Sequence, residues 1–191
     1  CIRDRDYINN KEGVNKVLKS RVDECAPFEN VYTLALRGLH DRAMNASNNM
    51  DDRKKMLQEA LMAQRQMLVD AIGKRAEDIP QAFTPYKEVL DVYDQGLELP
   101  DDVTIIWPDD NYGYMKRLSS PKEQKRSGRS GVYYHSSYLG KPHDHLWMNT
   151  TSPTLMYEEL RKAYDLTADR IWLLNAGDIK SCEFAVDYFL T

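Results

Sequence analysis

The sequence predicts an α/β fold, specifically a (β/α) TIM-type barrel present as a partial barrel of about five βα units, and three observations carry that expectation. Short apolar runs recur along the chain, helical or polar material follows each, and the runs are near-continuously apolar rather than alternating. Strands buried on both faces read in this way, and their alternation with helices implies parallel pairing with the helices packed outside. A complete eight-stranded barrel needs about 250 residues, so a chain of 191 fits part of one. A doubly wound open sheet is the structural alternative, but no GxGxxG or GxxxxGK phosphate loop follows any run.

The first strand is expected over residues 29–36 (ENVYTLAL), followed by a long helix over 51–76. Met56, Leu57, Ala60, Leu61, Gln64, Met67, Leu68, Ala71 and Ile72 fall on one stripe of that helix, the pattern of core packing. Residues 79–83 (IPQAF) read as a shorter strand, and 85–96 as a helix with Pro85 in its first turn and Gly96 at its end. The clearest strand is 103–107 (VTIIW); the polar, glycine-bearing stretch 119–131 reads as an exposed loop. A strand at 132–135, a helix at 152–166, a strand at 170–174 and a terminal helix from residue 181 complete the series. The strands at 31–36, 103–107, 132–135 and 171–174 are expected to lie parallel in one sheet.

With 42% hydrophobic and 29% charged residues the composition is that of an ordinary globular chain, long enough for one domain or most of one. A net charge of −4, with Lys and Arg spread throughout, gives no electrostatic footprint for nucleic acid. The apolar runs fall far short of the ~20 residues that cross a bilayer, and no signal segment opens the chain, so no membrane partner is expected. Cys1, Cys25 and Cys182 are odd in number and form no CxxC pair, which predicts free thiols. Because Cys1 stands where an initiator methionine would, the N-terminus is expected to be a cut through a longer protein.

Polar groups follow every strand. Arg37, Gly38, His40 and Asp41 come after the first, Tyr86 and Glu88 after the second, and Asp109, Asp110, Asn111 and Tyr112 after the third. His135, Tyr138, His143 and Asp144 follow the fourth, and Asn175 and Asp178 the fifth. In a parallel barrel these positions open on the C-terminal face, where active sites lie. Glycoside hydrolysis needs one protonated and one ionised carboxyl group flanking the bond, and Asp41, Glu88, Asp109 and Asp110 suffice in number. An anionic sugar also needs donors opposite its carboxylate, which Arg37, Arg117, His135 and Tyr138 could supply. Trp107, Tyr112 and Trp147 could stack on sugar rings, although a tryptophan at a strand end more often belongs to a core. Any single Asp after a strand can equally be a turn or cap residue, as Asp109 beside Pro108 and Asp178 after Gly177 illustrate. Asp101 and Asp102 precede their strand and read as structural.

The runs TLALRGLHD (33–41), IPQAFTPYKEV (79–89), WPDDNYGYMKRL (107–118), GVYYHSSYLGKPHDHLW (131–147) and IWLLNAGDIKSCEF (171–184) resemble, in order, the barrel domain of glycoside hydrolase family 115. The resemblance implies that residues 1–191 are a single segment of a catalytic (β/α)-barrel domain, truncated at the N-terminus, with flanking domains absent. It implies an inverting α-glucuronidase that removes glucuronic acid or 4-O-methylglucuronic acid side chains from xylan. Glucuronoxylan or its oligosaccharides would be the partner, with no cofactor, no metal, a secreted or periplasmic location, and a homodimer formed through the absent domains. Residue by residue it places Arg37, Asp41, Glu88, Asn111, His135 and Tyr138 in the pocket, with Asp110 beside them as a substrate-binding candidate. His145 departs from the family pattern.

Glu88 and Asp41 are the expected catalytic carboxylates, and inversion requires them to stand roughly 6.5 to 9.5 Å apart. Apolar cover from Tyr86, Val89 and Tyr93 argues for Glu88 as the general acid, and Arg37 beside Asp41 argues for Asp41 as the base. The helix N-terminus near Glu88 pulls the other way. Two rival readings remain open. His40, His135, His143 and His145 with Asp41 could ligate a metal in a barrel hydrolase, or the chain could be part of a non-catalytic binder of acidic glycans.

Overall fold

The computed structural model describes residues 6–38, 43–44, 49–138 and 149–191. They form two compact units, Cys1–Val103 and Thr104–Thr191. The first runs α1 (Lys11–Cys25), β1 (Tyr32–Thr33), α2 (Met50–Ile72), β2 (Gln81–Phe83) and α3 (Glu88–Asp94). Helix α1 was not among the expected elements. Asn10 caps it by accepting the Gly13 N–H at 3.1 Å, and Lys11 pairs with Glu59 of α2.

β1 and β2 pair in parallel, Tyr32 opposite Gln81 and Thr33 opposite Ala82, and the Leu34 N–H prolongs the ladder to the Ala82 carbonyl at 2.8 Å. The paired strand is shorter than the apolar run because a side chain takes over from the ladder. Gln64 of α2, buried, accepts the Ala35 N–H at 3.0 Å and donates to the Ala35 carbonyl at 2.8 Å. That satisfies both backbone groups of Ala35 without a partner strand.

Helix α2 stops at Ile72 rather than running on to 76, because Gly73 adopts a left-handed φ of 73° and donates to the Val69 carbonyl. Its expected stripe holds: Leu57, Ala60, Leu61 and Leu68 are buried with Leu34, Leu36, Phe83, Val89 and Val92 in one apolar core. Helix α3 is also shorter than expected. Pro85 lies outside it, and Lys87, at φ 52° and ψ −122°, is the residue before its start.

The second unit contains β3 (Thr104–Pro108), β4 (Ser130–His135), α4 (Pro153–Asp165), β5 (Ala168–Asn175) and α5 (Glu183–Leu190). β4 pairs in parallel with β3 on one side and β5 on the other. Ile105, Ile106 and Trp107 are all buried, as a strand covered on both faces requires. Between β4 and β5 the register shifts near Gly131, where a Cβ would lie 2.0 Å from the Ile171 carbonyl oxygen. Only glycine permits that approach. Helix α4 lies where a helix was expected, and its start is capped: Ser152 accepts the Leu155 N–H at 3.2 Å and Pro153 occupies the first turn.

The stretch 119–131 is not simply an exposed loop. It holds a 3₁₀ turn (Glu123–Lys125), and Ser119 and Ser130 are buried in a chain in which Trp107 Nε1 donates to Ser119 Oγ, which in turn bonds Ser130 Oγ. Among the described residues the pairings within each unit are parallel and helices intervene in both units, so the fold is α/β. Among the described residues no helix is long and apolar enough to cross a membrane.

Candidate functional site

In the first unit the backbone leaving β1 passes the Gln64 clamp and reaches Arg37 two residues later, which fixes where that side chain starts. Arg37 Nε donates to Glu88 Oε1 at 3.1 Å and Nη2 to Oε2 at 3.3 Å, a two-point pair with both side chains 19% exposed. The Tyr86 ring lies 5.3 Å from the Arg37 guanidinium carbon and 5.0 Å from Lys87 Nζ, so its face serves two cations.

Around Glu88, Val89 is buried in the core, Tyr93 packs on Phe83 with ring centroids 6.0 Å apart, and Arg37 pairs with the Glu88 carboxylate. Asp41 and His40 lie outside the described residues.

In the second unit the rim of β3 and β4 is organised by Asp109. The Asp109 N–H donates to the Tyr133 carbonyl at 3.1 Å, carrying the β3–β4 ladder one residue past Pro108. Its carboxylate Oδ1 accepts the Asn111 N–H at 3.0 Å and lies 2.5 Å from His135 Nδ1, while Oδ2 accepts the His135 N–H at 3.1 Å. The His135 ring sits between Tyr133, at 4.7 Å between centroids, and Tyr138, edge-on at 5.4 Å. The His135 carbonyl accepts Thr151 Oγ1 at 3.0 Å. Asn175, opposite His135 in the register, donates to the Tyr133 hydroxyl at 2.7 Å.

The loop beyond β3 is bonded to itself. Asp110 Oδ1 accepts the Tyr112 and Tyr114 N–H groups at 3.0 and 3.1 Å, and Oδ2 lies 3.4 Å from Lys116 Nζ, so both oxygens have partners in their own loop. Asn111 takes a φ of 70°, which its short polar side chain tolerates. Glu159 of α4, buried, accepts the Met115 N–H at 2.7 Å and so ties the loop down from outside. The Tyr134 hydroxyl donates to the Gly113 carbonyl at 2.9 Å. Burial, reinforced by the Asp109 and Glu159 carboxylates, pushes that hydroxyl above its ordinary range, so it remains a donor.

Some sequence candidates leave the site. Trp107 is fully buried with Arg117 stacked on its ring at 4.5 Å, so it is core rather than a sugar platform. Arg117 makes a two-point pair with the Glu123 carboxylate. Asp102 pairs with Arg65 at 2.8 Å, as a structural residue should. Tyr112 is exposed. His143, Asp144, His145 and Trp147 lie outside the described residues. Among the described residues no three His, Cys, Asp or Glu side chains gather where a metal could sit, and Cys25 and Cys182 are free thiols.

Asp109 is the residue organising this rim that reading the sequence undervalued. The signal available was an Asp one residue past β3 and a His closing the next parallel strand, two groups that such pairing brings to the same rim.

Among curated proteins no sequence matches the chain. A solved structure described as "A novel family GH115 4-O-Methyl-alpha-glucuronidase, BtGH115A, with specificity for decorated arabinogalactans" is similar to it at 44% sequence identity and a TM-score of 0.93. The similarity covers 97% of this chain and 24% of that one, so the chain spans about a quarter of that protein's length. The model for glycosyl hydrolase family 115 matches residues 3–191, and the chain therefore belongs to glycoside hydrolase family 115.

Proposed function

We propose that the protein containing this chain is an inverting α-glucuronidase that removes glucuronic acid or 4-O-methylglucuronic acid side chains from a plant polysaccharide. The observation that carries the proposal is membership of family 115 together with 44% identity to a 4-O-methyl-α-glucuronidase. On this reading residues 1–191 are one segment of a catalytic (β/α) barrel, working outside the cell or in the periplasm.

Glu88 and Asp41 act as the two carboxylates. Arg37 supplies beside Glu88 the cation expected next to the base, so the pair supports Glu88 as the general base and leaves Asp41 as the acid. This reverses the assignment argued from the sequence. Arg37 then holds the base, and on the family resemblance Arg37, Asn111, His135, Tyr138 and Asp110 are the residues that bind the uronic acid. The carrier polysaccharide is glucuronoxylan on the family resemblance, and the arabinogalactan preference of the similar enzyme supplies the competing reading.

Release of 4-O-methylglucuronic acid by the full-length enzyme from glucuronoxylan and from a glucuronidated arabinogalactan, assayed side by side, tests the proposal. Release from glucuronoxylan at the higher rate is the expected result. A higher rate on arabinogalactan replaces the carrier, and no release from either overturns the activity.

A further inference from the structure

We propose that Asp109 is a positioning residue that fixes the imidazole of His135 and offers Nε2 as the ring atom available to the sugar, taking no part itself in proton transfer at the glycosidic bond. The inference rests on the reading that His135 contacts substrate. Both side chains are essentially sealed from solvent, 0% exposed for Asp109 and 1% for His135. Two N–H groups, those of Asn111 and His135, donate to the one carboxylate, and the His135 ring nitrogen Nδ1 lies against it.

An ionised carboxylate only accepts hydrogen bonds, so Nδ1 must carry the hydrogen in the 2.5 Å contact, and Nε2 is the nitrogen left to a ligand. Tyr133 and Tyr138 hold the plane of the ring, and Thr151 holds the backbone beneath it. Asp109 also bonds the backbone of Asn111, so one buried group sets two candidate substrate-binding residues on neighbouring segments. A catalytic carboxyl group has to exchange protons with water or with the leaving oxygen. Asp109 instead has both oxygens engaged by Asn111 and His135 and is closed to solvent.

The test is a double-substitution cycle in the full-length enzyme, reading kcat/KM on a 4-O-methylglucuronic acid substrate. Asp109→Asn and His135→Ala are each expected to lower kcat/KM by about tenfold or more, the usual effect of losing a partner that orients a ligand group. The double variant should be no slower than His135→Ala alone, because Asp109 acts through the ring it holds. Azide should not restore Asp109→Asn. Losses that multiply, a wild-type rate in Asp109→Asn, or rescue by azide would each overturn the proposal, the last by making Asp109 the base.

An unchanged rate in His135→Ala would remove the underlying reading and the proposal with it, whereas a slow His135→Ala with multiplying losses removes the proposal alone. Should circular dichroism show Asp109→Asn unfolded, His135→Asn decides. It keeps a donor where Nδ1 stood and deletes Nε2, so a loss equal to that of His135→Ala supports the proposal and a wild-type rate sinks it.

Discussion

Arg37 and Glu88 are the residues on which the chemistry of the first unit turns. Their pair uses the planar fork of a guanidinium, which an ammonium cannot reproduce. Arg37→Lys in the full-length enzyme should therefore lower kcat/KM by about ten- to hundredfold, the worth of one lost charge-assisted hydrogen bond, although the charge is kept. Unchanged steady-state kinetics would remove Arg37 from the site. Roles for the two carboxylates separate on substrates with activated leaving groups, which need little proton donation. If Glu88 is the base, Glu88→Ala should abolish hydrolysis of these substrates as fully as it abolishes hydrolysis of xylan. Sparing of the activated substrates would return Glu88 to the acid role.

At the level of elements, the site residues stand where strand or helix ends are held by something other than the ladder. Gln64 replaces a strand partner before Arg37, Lys87 adopts a left-handed φ before Glu88, and Asn111 does the same after β3. Such backbone costs on the order of 1–3 kcal/mol each and persists where surrounding contacts impose it. Gly131 is the sharpest constraint in the second unit, because β4 and β5 approach each other there too closely for any side chain. Gly131→Ala should destabilise the folded protein by about 3 kcal/mol, as overpacking does, and shift the chemical-denaturation midpoint accordingly. A midpoint unmoved by this change would mean that the register shift relaxes freely.

At the scale of the molecule, hydrolysis by two carboxylates needs only proton transfer and water. Dialysis of the full-length enzyme against a chelator is accordingly expected to leave kcat/KM unchanged. A loss of activity restored by a divalent cation would favour the metal-dependent reading built on His40, His135, His143 and His145 with Asp41. The two compact units each carry parallel strands and intervening helices. Their candidate residues divide as well: Arg37 and Glu88 come from the first, and Asp109, Asn111, His135 and Tyr138 from the second.

The strands, the parallel pairing within each unit, the place of α4 and family membership were all legible in the residues, because apolar runs and motif strings are local signals. Element ends were less so. Helix α2 stops at Gly73 through a left-handed φ, and α3 begins at Glu88 after the strained Lys87, conformations that no periodicity encodes. The partner of Glu88 and the partner of His135 were decided only by tertiary structure. Arg37 lies 51 positions from Glu88 and Asp109 lies 26 from His135. Pairing at such separations depends on which strand ends share a rim and which rotamers the packing leaves, so composition could nominate Arg37, Glu88, Asp109 and His135, and folding alone joined them in pairs.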